Sequence, residues 1–580
     1  MTDWLDGQLC RSSLTVAGEE QEERMPGRWD HVIIGGGTAG CVLANRLSAD
    51  PVRKVLLIES GIDTPPDAMP ADILDPYPLS YVNPKYRWPL QGFALNAAGS
   101  GPVPLLHARV MGGGSSIMGM IMLRGLPLDY DGWESSGAKG WGWRDVLPFF
   151  RLLENDLDFD GDAHGKEGPT EIRRHQSRDW PELAQAAGRY AEARQVPFIA
   201  DMNADFRDGY GALPIAGTTE RRSTSAMAYL TSEVRRRPNL RILANATATG
   251  LLWDGARVAG VRASVGDLEE TFDAAEVIVS MGALLSPHFL LREGLGDPQA
   301  LLDAGVQPRV AVPAMGANLQ NHAALLTLAH LKRRAVQRRP QRNHNNSMFR
   351  YSSAVAGGTR SDMALMIGTR VTWHAIARRL ANITPILMAP AARGRVSLGK
   401  IPTAPLIEYN LLGDPLDRAR LIEGLGHAVA LGTSSEMQQV IGPLVAASRL
   451  ANAARFNART RWNDLRTKAI ATLFDQVPGL GERAVRSMGE YDLVTLLAEP
   501  ERLDEFVERN VTPLAHHSGT CRMGAADDPH AVVDPQCRVK GVSGLRIVDA
   551  SVMPTVPRAN TNLPMLMIAE KAAAILLGRD

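Results

Sequence analysis

Along residues 30–61 the spacing of apolar positions changes character twice. A short, mostly apolar run over 31–34 predicts a buried strand, and Val42, Leu43, Ala44 and Leu47 then recur at the spacing of one helix face. A second apolar run over 55–58 follows and stops at Glu59. Between the first run and the helix lie Gly35, Gly36, Gly37, Thr38, Ala39 and Gly40. The order is strand, glycine turn, helix, strand.

Farther along, the periodicity predicts helices over 144–154 and 180–195, with another beginning near Ser225. Strand-like runs cover 240–244, 257–264 and 276–280, and the last feeds a glycine turn and helix over 281–296. The stretch 323–510 has a different texture, with amphipathic helices expected over 416–433, 435–456, 461–472 and 491–497. Its strand-like pieces lie at 393–398 and 405–410. A final strand over 545–548 leads to a helix with Asn562 as N-cap, Pro564 in the first turn and Gly578 past its end. Aromatic residues such as Trp133, Trp141, Trp143, Phe149 and Phe150 read as core packing. The pattern predicts an α/β protein: a Rossmann-like nucleotide-binding domain with a second α+β substrate domain, its sheet flanked by helices.

The glycine turn carries the first candidate chemistry. Glycines allow a tight turn and close approach of backbone to a pyrophosphate, the helix N-terminus adds N–H groups and a positive dipole end, and Glu59 is placed to accept hydrogen bonds from ribose hydroxyls. This fingerprint leaves FAD and NAD both open, while the acidic residue speaks against NADP. A second glycine stretch, RVMGGGSSIMGM over 109–120, offers backbone that can lie flat against the same ligand. The helix beginning near Asn562 would point its positive end at whatever the preceding loop holds.

Composition narrows the class. The 580 residues exceed one ordinary core, and 63 basic residues balance 63 acidic ones, which argues against a dedicated nucleic-acid binder. Cys10, Cys41, Cys521 and Cys537 show neither a disulfide framework nor metal-ligand spacing, so a reducing, cytoplasmic setting and no bound metal are expected. The first 28 residues carry Glu19, Glu20, Glu22 and Glu23 and read as a loosely ordered extension without a secretion signal. No apolar run approaches the roughly 18 residues of a membrane span.

Six ordered blocks together resemble the glucose–methanol–choline (GMC) family of FAD-dependent oxidoreductases over nearly the whole chain after residue 28. They are the 35–40 turn with Glu59, RVMGGGSS, GALLSPHFLLREGLG, GANLQNH (316–322), HHSGTCRMG (516–524) and VDASVMPTVPRANTNLP (548–564). The arrangement is similar to the family's bacterial 5-hydroxymethylfurfural oxidase and aryl-alcohol oxidase branch. The resemblance implies FAD, with contacts from Gly35, Gly37, Thr38, Ala39, Gly40, Glu59, Arg109, Met111, Gly113, Gly114, Ser115, Met118, Gly119, Ala248, Asp549, Ala550, Thr561, Asn562 and Pro564. It implies FAD-binding segments at 29–150, 216–322 and 511–580, with the substrate domain at 151–215 and 323–510. It places the catalytic histidine at His516 and a second active-site residue at Asn560. The expected reaction is oxidation of a primary, aromatic or heteroaromatic alcohol, with oxygen or a quinone or carrier as electron acceptor. Pyridoxine-type and choline-type alcohols are the alternatives, and a hydroxynitrile lyase is a further class.

The chain also departs from the family pattern. Met118 stands where many relatives have Asn near the flavin, and Ile117 where covalent members carry histidine, so non-covalent FAD is expected. Asn321 replaces the usual Asp before His322, Ala515 stands where close relatives have Trp, and His517 where they have Pro.

Overall fold

The structure is a computed structural model that describes residues 27–218, 220–337, 343–399, 403–446 and 456–579. The acidic extension lies outside the described residues up to residue 26. Strand β1 (Trp29–Ile34), helix α1 (Thr38–Leu47) and strand β2 (Val55–Ile58) form the unit expected from the apolar spacing. β1 pairs in parallel with β2, and β2 pairs in parallel with β3 (Leu240–Leu243). A three-stranded antiparallel meander, β4 (Ala246–Asp254), β5 (Arg257–Val265) and β6 (Leu268–Val279), joins this sheet because the far end of β6 runs parallel to β1. Both faces of the parallel part are buried, which is why residues 32–34 of β1 and all of β2 are continuously apolar rather than alternating. After β6 the chain turns through Gly282 into α2 (Leu285–Arg292).

A second sheet of nine strands is mostly antiparallel. Its strands include β7 (Ala323–Leu325), which lies off the main path, and the central β8 (Asn345–Tyr351), β9 (Met363–Thr369) and β10 (Leu380–Leu387). Side chains alternate across it: Leu365 and Ile367 enter the core beneath helix α3 (Pro415–Gly432), while Ala364 and Met366 face the other way. Strand β11 (Val511–Pro513) pairs with β7 and delivers the chain to the segment containing His516. The last strand, β12 (Leu545–Ile547), returns to the first sheet beside β6, and α4 (Asn562–Leu576) packs against α1.

Two local expectations are corrected. Among the described residues of the helix expected over 435–456, Ser435–Gln438 are helical and Val445–Ala446 form a short strand. Gly442 and Pro443 explain the break, since proline lacks the N–H and glycine weakens a helix interior; 447–455 lie outside the described residues. Asn562 is the first residue of α4 rather than its cap: Thr561 holds the cap position, and the Asn562 side-chain oxygen accepts from the Thr38 hydroxyl at 2.8 Å.

Candidate active site

A cavity of about 550 Å³ runs from the C-terminal ends of β1, β2 and β6 to the apolar face of the second sheet. Its position at the strand ends is the usual ligand position in an open α/β sheet. Two backbone loops meet at its inner end. Gly35 has φ +107°, and a Cβ there would stand 2.4 Å from the Ser280 carbonyl oxygen. Gly113 has φ +55° and abuts Gly37, whose Cα lies 2.7 Å from where a Cβ would be. Only glycine permits this contact, so the second glycine loop is seated directly on the first.

Of the residues expected to contact a cofactor, Gly35, Gly37, Thr38, Ala39, Glu59, Gly113, Gly114, Ser115, Met118, Gly119, Ala248, Asp549, Ala550, Thr561 and Asn562 line the cavity. Four do not line it. Gly40 lies under the turn, where a Cβ would overlap the Gly35 carbonyl oxygen at 1.9 Å. Met111 is buried behind Gly36, and Pro564 is buried within α4. Arg109 lies at the outer edge: its side chain is exposed, donates to the Ser60 carbonyl at 3.2 Å and stacks over Trp88 at 4.8 Å. The motif's glycines pull the backbone inward, and the residue before them is left on the outer surface.

Glu59 uses one carboxylate oxygen to accept from the Gly36 N–H at 2.8 Å and the other to accept from the Gly61 N–H at 2.7 Å. It therefore braces the turn, and each oxygen keeps a second lone pair for a ligand. Asp549 accepts from the Gly282 N–H at 2.9 Å and from the Ser286 hydroxyl, tying β12 to the turn after β6. Burial pushes its carboxyl above the usual range, against the hydrogen bonds from Ser286 and Ser551. Sequence reasoning missed Arg222, fully buried, whose guanidinium donates to the Ser115 carbonyl at 3.0 Å and fixes the second loop.

At the other end of the cavity the two expected catalytic residues touch. The Asn560 amide nitrogen lies 2.9 Å from His516 Nε2, and His516 Nδ1 lies 2.9 Å from His322 Nδ1. The rings of His322 and His516 meet edge to face at 80°, with centroids 5.0 Å apart. Burial, helped by the neighbouring His322, holds the His516 pKa well below 6.5, so its imidazole is neutral. Burial likewise lowers His322 to about 4 and His107 to about 4.

The two departures at 321 and 517 also meet. The Asn321 amide nitrogen lies 3.1 Å from His517 Nδ1, and the Tyr409 hydroxyl lies 2.7 Å from the same atom. Burial and the nearby His107 bring His517 to about 3. The walls beyond His516 are Met348, Ala364, Met366, Ile386, Met388, Leu514 and Ala515. Neither His322 nor Tyr409 could be assigned to this site from spacing, because each reaches it across the fold, whereas His517 is the chain neighbour of His516.

A glycine-cradled cavity at the strand ends, joined to a neutral histidine, defines a dinucleotide-dependent oxidoreductase. The GMC oxidoreductase N-terminal and C-terminal models match residues 29–324 and 390–569, and the chain belongs to this family. It is 37% identical over 95% of its length to the 5-(hydroxymethyl)furfural oxidase of Methylovorus sp. (strain MP688), covering 98% of that protein. It is 30% identical to an oxygen-dependent choline dehydrogenase of Vibrio vulnificus (strain YJ016), covering 96% of this chain and 95% of that one. Among solved structures, pyridoxine 4-oxidase from Mesorbium loti superposes with a TM-score of 0.77 at 26% identity, over 94% of this chain and 98% of that one. The chain is thus an oxidoreductase acting on alcohols, with a small-molecule substrate and a separate electron acceptor. Family membership makes the dinucleotide FAD, and the abutting glycines, the braced carboxylate and two helix N-termini fit it. Among the described residues no helix is long and apolar enough to cross a membrane.

Proposed function

We propose that the chain oxidises a primary aromatic or heteroaromatic alcohol to its aldehyde, with His516 as the base. The carrying observation is the neutral His516 whose Nε2 meets the Asn560 amide in the cavity wall. His516 Nε2 takes the hydroxyl proton, and Asn560 holds the alcohol oxygen beside it. Bound FAD supplies the acceptor for the hydride that leaves the same carbon. The methionine, isoleucine and leucine walls exclude water and suit a flat, apolar ring. Two of the relatives are named for 5-(hydroxymethyl)furfural and pyridoxine, which supports a heteroaromatic substrate. A choline-type alcohol is the second reading, favoured by the choline dehydrogenase relatives.

In this reading the FAD-holding segments are 29–150, 216–322 and 511–580, and the covering segments are 151–215 and 323–510. The lining residues named above hold the cofactor without a covalent bond, since Ile117 and Met118 offer no nucleophile. Denaturing the holoenzyme should release all of its flavin into a filtrate. The three described cysteines, Cys41, Cys521 and Cys537, are buried and unpaired, which fits a reducing cytoplasm. The test is an anaerobic screen of alcohols for flavin bleaching, including 5-(hydroxymethyl)furfural, pyridoxine and choline, followed by air. Bleaching by the first two with fast reoxidation supports an aryl-type oxidase, slow reoxidation points to a quinone or carrier, and bleaching by choline alone overturns the aromatic reading.

A further inference from the structure

Resting on the alcohol-oxidation reading, we infer that His322 is a positioning residue that fixes which nitrogen of His516 is free to take the proton. The two residues are 194 positions apart, and a short antiparallel pairing brings them together. Gln320 and Ser518 exchange backbone hydrogen bonds at 2.9 and 3.1 Å, and the Leu514 N–H donates to the His322 carbonyl at 3.0 Å. His322 therefore stands across from His516 with no freedom to swing away, and it is fully buried.

The hydrogen-bond roles along this row follow from its two ends. The Nε2 of His322 is buried with no partner at normal hydrogen-bond distance, and the backbone carbonyls of Met388 and Pro557 act on the ring. We assign Nε2 as the nitrogen that faces them; carbonyls only accept, so the proton of the neutral ring is placed there and Nδ1 is left as an acceptor. With 2.9 Å between the two Nδ1 atoms, His516 must then be the donor, with its own proton on Nδ1. His516 Nε2 is left as a lone pair, and the Asn560 amide N–H donates to it at 2.9 Å. That nitrogen is the one beside the residue that would hold the alcohol.

When the alcohol proton arrives on Nε2, His516 becomes an imidazolium whose Nδ1–H still points at the His322 lone pair. His322 stays neutral and loses nothing in the step. The opposite tautomer of His516 would present an N–H to the alcohol and could not accept its proton. His322 acts through His516 and does not touch the substrate.

The test compares His322→Leu, which fills the space without an acceptor, with His322→Asn, whose side-chain oxygen can occupy the place of Nδ1. Both are examined as FAD-loaded enzyme with flavin content measured. His322→Leu should lower the anaerobic flavin reduction rate by about 100-fold, short of the ~10⁴ for a catalytic histidine held wholly in the wrong tautomer, with flavin content unchanged. His322→Asn should keep most of the rate. Nitrogen NMR of 15N-histidine-labelled enzyme should show His516 protonated on Nδ1 in the wild type and in His322→Asn, and a mixture of tautomers in His322→Leu. Equal rates in wild type and His322→Leu, equal losses in both variants, or His516 protonated on Nε2 in the wild type would overturn the inference. His516→Ala separates the two claims. If it leaves reduction unchanged, the base assignment itself fails; if it abolishes reduction while His322→Leu does not, only the positioning role fails.

Discussion

The protein buries a group of histidines around His516 and a lone one, His164, and treats them in opposite ways. Around His516 the neighbours are His322 and Asn560, both neutral, and burial drives His107, His322 and His517 to about 4, 4 and 3. Around His164 the neighbours are carboxylates. His164 Nδ1 lies 3.0 Å from Glu154 and 3.1 Å from Asp156, and Nε2 lies 2.7 Å from Asp201. Burial pulls the His164 pKa down as well, yet the hydrogen bonds its ring donates to Asp156, Asp201 and Glu154 outweigh it and lift the group to about 10. Arg124 pairs with Glu154, and Arg174 pairs with Asp156 and Asp201. Glu154, Asp156 and His164 offer ligand atoms within 4.8 Å of one another, the spacing of a cation site. The cluster already carries its own cations in His164, Arg124 and Arg174. The same imidazole is thus a fixed charge in one place and a proton acceptor in the other, and carboxylate neighbours make the difference.

This contrast breaks in different ways when either side is altered. His516→Ala should lower anaerobic flavin reduction by about 1,000-fold, within the usual range for a lost general base, while thermal unfolding barely moves. His164→Leu should do the reverse. It leaves a buried carboxylate group short of a cation, which costs about 3–5 kcal/mol, so the denaturant midpoint falls while the reduction rate per bound flavin stays unchanged. Asn560→Ala should reduce the rate by roughly tenfold, since it removes orientation and not the base. Ala515→Trp should narrow the range of ring sizes that bleach the flavin, with little effect on the smallest alcohols.

The pH dependence of stability separates the two groups again. His164 is raised from 6.5 to about 10, so its contribution is complete below 6.5 and is lost as pH rises through about 10. His107 and His322 are lowered to about 4 and His517 to about 3, so their contribution is complete above 6.5 and is lost as pH falls through those values. Denaturant midpoints across pH should therefore fall on both sides, and His164→Leu should lessen the alkaline decline and also the part of the acid decline that comes from Asp156 and Asp201, whose carboxyls His164 helps hold below their usual range.

Much of the frame was legible in the sequence because it is local. Strand, glycine turn, helix and strand lie within about 30 consecutive residues, and their apolar spacing alone sets β1, α1 and β2. His516 and Asn560 lie in family motifs and meet at 2.9 Å. What stayed hidden depends on distant parts of the chain. His322 was visible only as the end of a motif, since its contact with His516 spans 194 residues. Asn321 and His517 read as two separate departures, and only the folded chain places them 3.1 Å apart. The cluster around His164 stayed hidden as well, because its carboxylate partners come from three separate positions. The helix expected over 435–456 is interrupted before residue 447 for a local reason, the Gly442 and Pro443 pair inside an otherwise helical spacing.

The most direct test of the central claim is the pH profile of the anaerobic flavin reduction rate with a bleaching alcohol such as 5-(hydroxymethyl)furfural. A His516 held neutral far below its ordinary value predicts a rate that is flat from about pH 6 to 8. A rate that rises through an apparent pKa at or above 6.5, and loses that limb in His516→Ala, would contradict it.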